Sequence, residues 1–417
     1  MTTRFSLPIQ VVEAGGFTAW LVEDHSVPVV SLSWSWQGGA AFDPAGQEGT
    51  AAMAAAMLSE GAGEMRALPF ADALRDSAIG LSFSAGRDSF DGSFRALTDA
   101  LPEAVRLARL AMTAPRLDAD ALERVRARAI ANARTTLETP RGQAGRAFWA
   151  AAFPAHPAGR PASGTAESLG PISAAMLRDA LARQLRRDGL VIAASGAIRP
   201  AELGALMRDL FGALPAGAPA APPTLPAFTA FGRQVVPVPG PQSQVILGQP
   251  GLAPTDPAWE AAQVVLRVLG GGGFSSRLME AVRVQRGLTY GIGAGLDSLF
   301  RGGVVTCAFA TENGRVAEAL AVTKDVWAEM AARGPTQAEL EEAVAYLTGS
   351  LPLQFTDSRR IAGTLMAMRR NDRPLDWLDG RDARLRAITR DDAARVAATL
   401  LAPDALAVTV AGQPQGM

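Results

Sequence analysis

Two stretches of this sequence align with one another without a gap. ISAAMLRDALARQLRRDGLVIAASG runs from Ile172 to Gly196, and ITRDDAARVAATLLAPDALAVTVAG runs from Ile388 to Gly412. The offset is 216 residues (388 less 172), and Ile172/Ile388, Leu185/Leu401, Asp188/Asp404, Leu190/Leu406 and Gly196/Gly412 coincide. Each copy reads as a helix with a Ser173 or Thr389 N-cap, then a turn, then a buried strand. Upstream, APRLDADALERVRARAI and RGPTQAELEEAVAYLTGSL both read as a turn and a long amphipathic helix. There Leu122/Leu340 and Glu123/Glu341 match at 218 residues (340 less 122). Two pairs at nearly one offset point to a duplicated chain.

With 417 residues the chain has room for two domains. The Pro- and Ala-rich stretch Pro215–Phe228, PAGAPAAPPTLPAF, carries no charge, and its prolines favour extended backbone. It divides the expected domains, 1–218 and 219–417. FTAWLVEDHSVPVVSLSWSWQGG reads as a strand, a turn at Asp24–His25 and a second strand alternating Val, Leu and Trp. QVVPVPGPQSQVILGQPG opens the second half in the same way, and helices follow in both halves. This is an α+β pattern.

Composition excludes several functions. The net charge of -1 offers nothing to nucleic acid or an anionic membrane surface. A single cysteine, Cys307, allows neither an intrachain disulfide nor a thiolate zinc cluster. The only histidines are His25 and His156, with no second histidine at ligand spacing. Both read as polar loop residues, and Glu23, Asp24, Glu60 and Glu64 as solvated charges at turns or helix ends. No apolar run is long enough for a membrane helix, and MTTRFSLPIQ does not read as a signal peptide. The expected compartment is the cytoplasm as the sequence stands, or the periplasm if a leader was removed.

WLVEDHSVPVVSLSWSWQGGAAFDPAGQEGTAAM, GRDSFDGSFRAL, FPAHPAGRPASGTAESL and LGGGGFSSRLMEAVRVQRGLTYGIGAG occur in that order and span most of the chain. Together they resemble the pitrilysin/insulinase family of zinc metallopeptidases. The resemblance implies two homologous α+β halves, each a sheet backed by helices, closing around a peptide-binding chamber. In the bacterial and mitochondrial branch two chains of this size pair, and one can lack zinc. This chain is similar to the alpha-type subunits of the mitochondrial processing peptidase in that respect.

Active members carry an H-x-x-E-H helix. Histidines at i and i+4 reach one metal from one helix face, and the glutamate activates the metal-bound water. Here the matching helix reads EGTAAMAAAMLSEGAG, with Ala52, Ala55 and Ala56 at the His, Glu and His positions. A later helix should add a carboxylate ligand, but residues 126–136, RARAIANARTT, contain none. The expectation is no metal and no cofactor in this chain, with zinc in a partner.

In the second half Arg283 and Tyr290 match the family's Arg/Tyr pair in spacing. A Tyr hydroxyl can hydrogen-bond a developing oxyanion, and a guanidinium can fix a peptide carbonyl. The plainer alternative makes Tyr290 a packing residue at a strand start and Arg283 a surface charge like Arg277 and Arg286. The run Gly270, Gly271, Gly272, Gly273, Phe274, Ser275 lacks the Gly-Lys-Ser/Thr ending of a phosphate loop. It reads as a flexible loop leading into a helix over Ser275–Arg286. Three functions follow as expectations. The first is a non-catalytic subunit of a heterodimeric zinc endopeptidase, partnered by an H-x-x-E-H homologue and a peptide. The second is a pure scaffold of the same fold, and the third an active peptidase with unconventional ligands, which two histidines disfavour.

Overall fold

A computed structural model describes residues 6–417. Its strands are β1 (Ile9–Ala14), β2 (Phe17–Glu23), β3 (Val29–Gln37), the short hairpin β4 (Gly61–Ala62) and β5 (Met65–Arg66), β6 (Gly80–Ala85), β7 (Ser89–Leu97), β8 (Val191–Gly196), β9 (Arg233–Pro237), β10 (Gln242–Pro250), β11 (Ile292–Leu299), β12 (Gly302–Glu312) and β13 (Ala407–Gly412). The helices of the first half are α1 (Thr50–Met57), α2 (Ala67–Asp76), α3 (Leu101–Thr113), α4 (Ala119–Glu138), α5 (Pro140–Ala152), α6 (Ala166–Leu169), α7 (Ala174–Gln184) and α8 (Pro200–Phe211). Those of the second are α9 (Trp259–Leu266), α10 (Val316–Arg333), α11 (Gln337–Gly349), α12 (Ser358–Arg370), α13 (Trp377–Ala387) and α14 (Arg390–Leu400). Among the described residues no helix is long and apolar enough to cross a membrane.

The repeat is visible in the topology. The first sheet has the order β1-β2-β8-β3-β7-β6, and the second, β9-β13-β10-β12-β11, repeats it without β1. In each the β2 or β9 strand runs parallel to β8 or β13, and the remaining neighbours are antiparallel. Ser173 and Thr389 cap α7 and α14, accepting from the Met176 and Asp392 amides. Residues 215–228 contain no regular element.

The compact units do not follow a single cut in the chain. One comprises the residues up to Arg134, Pro161–Thr224 and Pro352–Asp379; the other comprises Thr135–Arg160, Leu225–Leu351 and Gly380–Met417. Each sheet therefore stays within its own half of the sequence, but one helix from each half is exchanged. Helix α12 lies on β3 and β8 of the first sheet, and α5 lies on β10 and β13 of the second. The exchanged helices are repeat equivalents: their side-chain caps, Thr139 and Asp357, stand 218 residues apart (357 less 139).

In the first unit one face of β3 carries Leu32, Trp34 and Trp36 into the core. Trp34 meets Phe83, Phe94 and Phe211 edge-on, at ring separations of 5.9, 6.1 and 5.6 Å. Its cross-strand neighbour is Gly92, where a Cβ would come within 2.3 Å of the indole. The opposite face carries Ser31, Ser33 and Ser35, which the alternation alone would leave to water. They are buried, because α12 covers them. Ser31 Oγ meets Ser358 Oγ at 2.9 Å, and Arg369 donates to the Thr18 and Ile192 carbonyls. In the second unit Phe148 of α5 fills the matching space. It lies over Gly248 of β10, where a Cβ would come within 2.3 Å of its ring.

Candidate functional site

Helix α1 is held at its start by a buried carboxylate. Asp43 accepts from the Gly49 and Ala51 amides, both at 2.9 Å, and so satisfies donors that a helix N-terminus leaves open. Met53, Met57 and Leu58 enter the core. Ala52 and Ala56, one turn apart, share a partly open face, while Ala55 is 1% exposed. Three methyl groups stand where the family resemblance places metal donors. A zinc ion does not fit this donor set, since a methyl group has no lone pair.

The later helix offers no replacement. In α4, Ala133 is buried and Ala129 and Ile130 pack on the core. The same helix turns arginines to Glu60: Arg124 lies 3.0 Å from that carboxylate and Arg128 4.0 Å. Glu60 is therefore an ion-paired, largely covered group and not the solvated charge the sequence suggested. Glu64 is exposed. The histidines have local partners. His25 Nε2 meets Glu23 Oε1 at 2.8 Å, and that bond, with one from Gln10, lowers the pKa of the Glu23 carboxyl. The Ser26 amide does the same for Asp24. His156 Nδ1 accepts from the Ala158 amide at 3.1 Å and caps a short turn. Among the described residues no three His, Cys, Asp or Glu side chains gather to hold a metal.

In the second unit the glycine run is more ordered than its composition suggests. Helix α9 continues as a π turn over Arg267–Gly271. Gly270 packs so closely on β11 that a Cβ would come within 2.5 Å of the Ala294 amide nitrogen. Gly273, at φ +61°, then starts a 3-10 turn that ends at Ser275, whose hydroxyl donates to the Gly272 carbonyl at 3.1 Å. The helix expected over Ser275–Arg286 is largely a second π turn, Met279–Val284. Such turns are rare and occur often at functional sites.

Arg283 lies on this second π turn. Its guanidinium carbon is 4.6 Å from the Phe274 ring centroid and 4.7 Å from that of Tyr290. Tyr290 is 88% exposed and Phe274 68%, so neither is a core residue. The neighbouring arginines are engaged elsewhere. Arg277 holds both carboxylate oxygens of Glu339 at 2.7 Å, and Arg286 donates to the Ala281 carbonyl at 2.8 Å. Arg283 has no hydrogen-bond acceptor among the described residues. The structure thus brings together Arg283, Tyr290 and Phe274, and separates all three from a packing role. Sequence reasoning passed over a second stack, Arg267 on Tyr346, at 3.3 Å. The available signal was that the chain has only two tyrosines.

Residues 171–347 match the family model described as Peptidase M16 inactive domain. An uncharacterized zinc protease of Mycobacterium leprae is 34% identical over 234 residues, 53% of this chain and 50% of that one. This chain thus matches about half the length of that relative. A non-peptidase homologue of Helicobacter pylori is 26% identical over 347 residues, 80% of this chain and 77% of its own. The crystal structure of a peptidase M16 inactive domain from Pseudomonas fluorescens superposes with a TM-score of 0.92 at 27% identity, covering 98% of this chain and 99% of that one. With its duplicated sheets and its signature segments, the chain is similar to the M16, or pitrilysin, peptidase family, and the proteins it matches include a non-peptidase homologue and an inactive domain.

Proposed function

We propose that this chain is the non-catalytic subunit of a heterodimeric zinc metalloendopeptidase, binding peptide while a homologous H-x-x-E-H chain holds the metal. One observation carries the reading. Helix α1 keeps its cap, its packing and its place, yet presents only Ala52, Ala55 and Ala56. No group on it can bind zinc or activate water.

Two further features support peptide binding. Strand β6 is an edge of the first sheet and packs against α1. An edge strand offers amides and carbonyls that an extended peptide can pair with. In the second unit Tyr290 and Arg283 supply exposed donors of the kind that hold a peptide carbonyl. Zinc belongs to the partner in this scheme.

The test is reconstitution. The isolated chain should hydrolyse no peptide, and mixing it with its H-x-x-E-H homologue should give chelator-sensitive turnover. Tyr290→Phe in the reconstituted pair should cut turnover roughly 10- to 100-fold. Chelator-sensitive cleavage by the isolated, protease-free chain would overturn the reading. The dense packing of α1 also suits a pure scaffold of this fold. That alternative is established if no homologue gains activity on mixing and Tyr290→Phe changes nothing.

A further inference from the structure

The second unit holds two arginines in an unusual electrostatic state. Arg267 and Arg283 sit one on each of the π turns that flank the 3-10 turn of the glycine run. Each is stacked on one of the chain's two tyrosines, Arg267 on Tyr346 and Arg283 on Tyr290, and Arg283 also meets Phe274. Both tyrosines are exposed, Tyr346 to 53%. Neither arginine has a carboxylate partner among the described residues. In the same unit Arg277 is paired with Glu339 and Arg384 with Glu260 at 2.7 Å.

A guanidinium is a plane. Rings against its faces fix that plane and strip some of its water, while the N–H groups around its rim remain able to donate. A fixed fork of donors with no internal acceptor matches the two oxygens of a carboxylate. An arginine meant only to support the fold would be expected to find a carbonyl or carboxylate of its own, as Arg277 and Arg286 do.

We propose that Arg267 and Arg283 are carboxylate receptors, and that the peptide this unit binds is an acidic one. Tyr346 and Phe274 are the positioning residues that hold the two forks, and Tyr290 holds Arg283 with its ring face while its hydroxyl keeps the donor role proposed above. This rests on the peptide-binding reading above and adds to it the chemical class of the ligand. The carboxylates come from Asp or Glu side chains or from the peptide's C-terminus.

Calorimetric titration of the purified full chain with four peptides of equal length tests this. Two carry Glu and two carry Gln at the same positions, each with a free or an amidated C-terminus. The Glu peptides should bind roughly tenfold tighter than the Gln peptides. Arg283→Lys and Arg267→Lys keep the charge but lose the fork, so each should remove most of that ratio. Phe274→Ala should reduce the ratio, and Phe274→Tyr should restore it. A preference for the free acid over the amide, lost in the Lys variants, assigns the terminal carboxylate instead. If all four peptides bind alike, or the Lys variants keep the preference, the carboxylate receptor is wrong while peptide binding stands. If none binds, the peptide-binding reading itself falls, and this inference with it.

Discussion

The two sheets share one strand order and one way of covering their second face, yet they solve that covering differently. The first sheet makes its face small, with Ser31, Ser33 and Ser35 on β3, so that α12 can approach the backbone. The second makes a gap at Gly248 and fills it with a single large side chain, Phe148 of α5. Duplication preserved the exchange of equivalent helices and left the contact surfaces free to diverge. The sites diverged in the same manner. In the first unit the helix that the family resemblance assigns to metal chemistry carries alanines and packs on the core. In the second, exposed Arg and aromatic side chains remain that the core does not require.

The largest test of this comparison targets the exchanged helices. Phe148 is fully buried, so Phe148→Ala should cost about 3–5 kcal/mol in denaturant unfolding. Gly248→Ala pushes a methyl group at that ring and should cost about 1–3 kcal/mol. The double variant should then be less damaged than the sum, because truncating the ring makes room for the methyl. Gly92→Ala, which crowds Trp34 in the other sheet, should add to Phe148→Ala without such relief. Simple additivity for Gly248 and Phe148 would show that the gap does not depend on the exchanged helix.

A smaller effect separates lost chemistry from acquired packing on α1. Ala55 is almost fully covered, so Ala55→Glu buries a carboxylate with no partner and should cost about 2–4 kcal/mol. Ala52→His and Ala56→His lie on the partly open face and should each stay within about 1 kcal/mol of the parent. The triple variant should still fail to retain zinc on dialysis, because α4 supplies no carboxylate over 126–136. Stoichiometric zinc in that variant would mean that the site was lost by three substitutions alone.

How far the sequence revealed these features depended on whether the information was local. The repeat, the Ser173 and Thr389 caps and the α+β class were legible because each rests on spacing within a short segment. The serine face of β3 was not. Its period-2 pattern looks solvent-facing, and the element that buries it arrives 327 residues later, as the Ser31–Ser358 contact shows. The helix exchange was illegible for the same reason. The stacks were hidden for a different one: the sequence presents Phe274 as part of a flexible loop, and Tyr346 only as the chain's second tyrosine. Only the fold places each ring against an arginine.

The smallest effect concerns acid, which should act on the second unit through a largely covered tie, whereas the first-turn pair of α4, Asp120 with Arg66 at 3.2 Å, lies open to solvent. Glu339 caps α11 and holds Arg277, just before the second π turn. Partial burial alone would raise its pKa, but the Arg277 fork and the Thr336 amide and hydroxyl outweigh it and bring it to about 2. A carboxyl held below its unfolded pKa of 4.5 contributes stability that is complete above 4.5 and fades as pH falls towards 2. The pair is mostly covered, with side-chain exposures of 16% and 30%, so the contribution is on the order of 2 kcal/mol after allowance for screening. The repeat position of Glu339 in α4 is Ala121 (339 less 218), so α4 has no such tie there. Hydrogen exchange followed from pH 5 down to pH 3 should show α11 losing protection before α4. Arg277→Gln should abolish that difference, since Glu339 then returns towards its ordinary pKa. Equal loss in both helices, or no change on substitution, would show that this tie does not distinguish the two units.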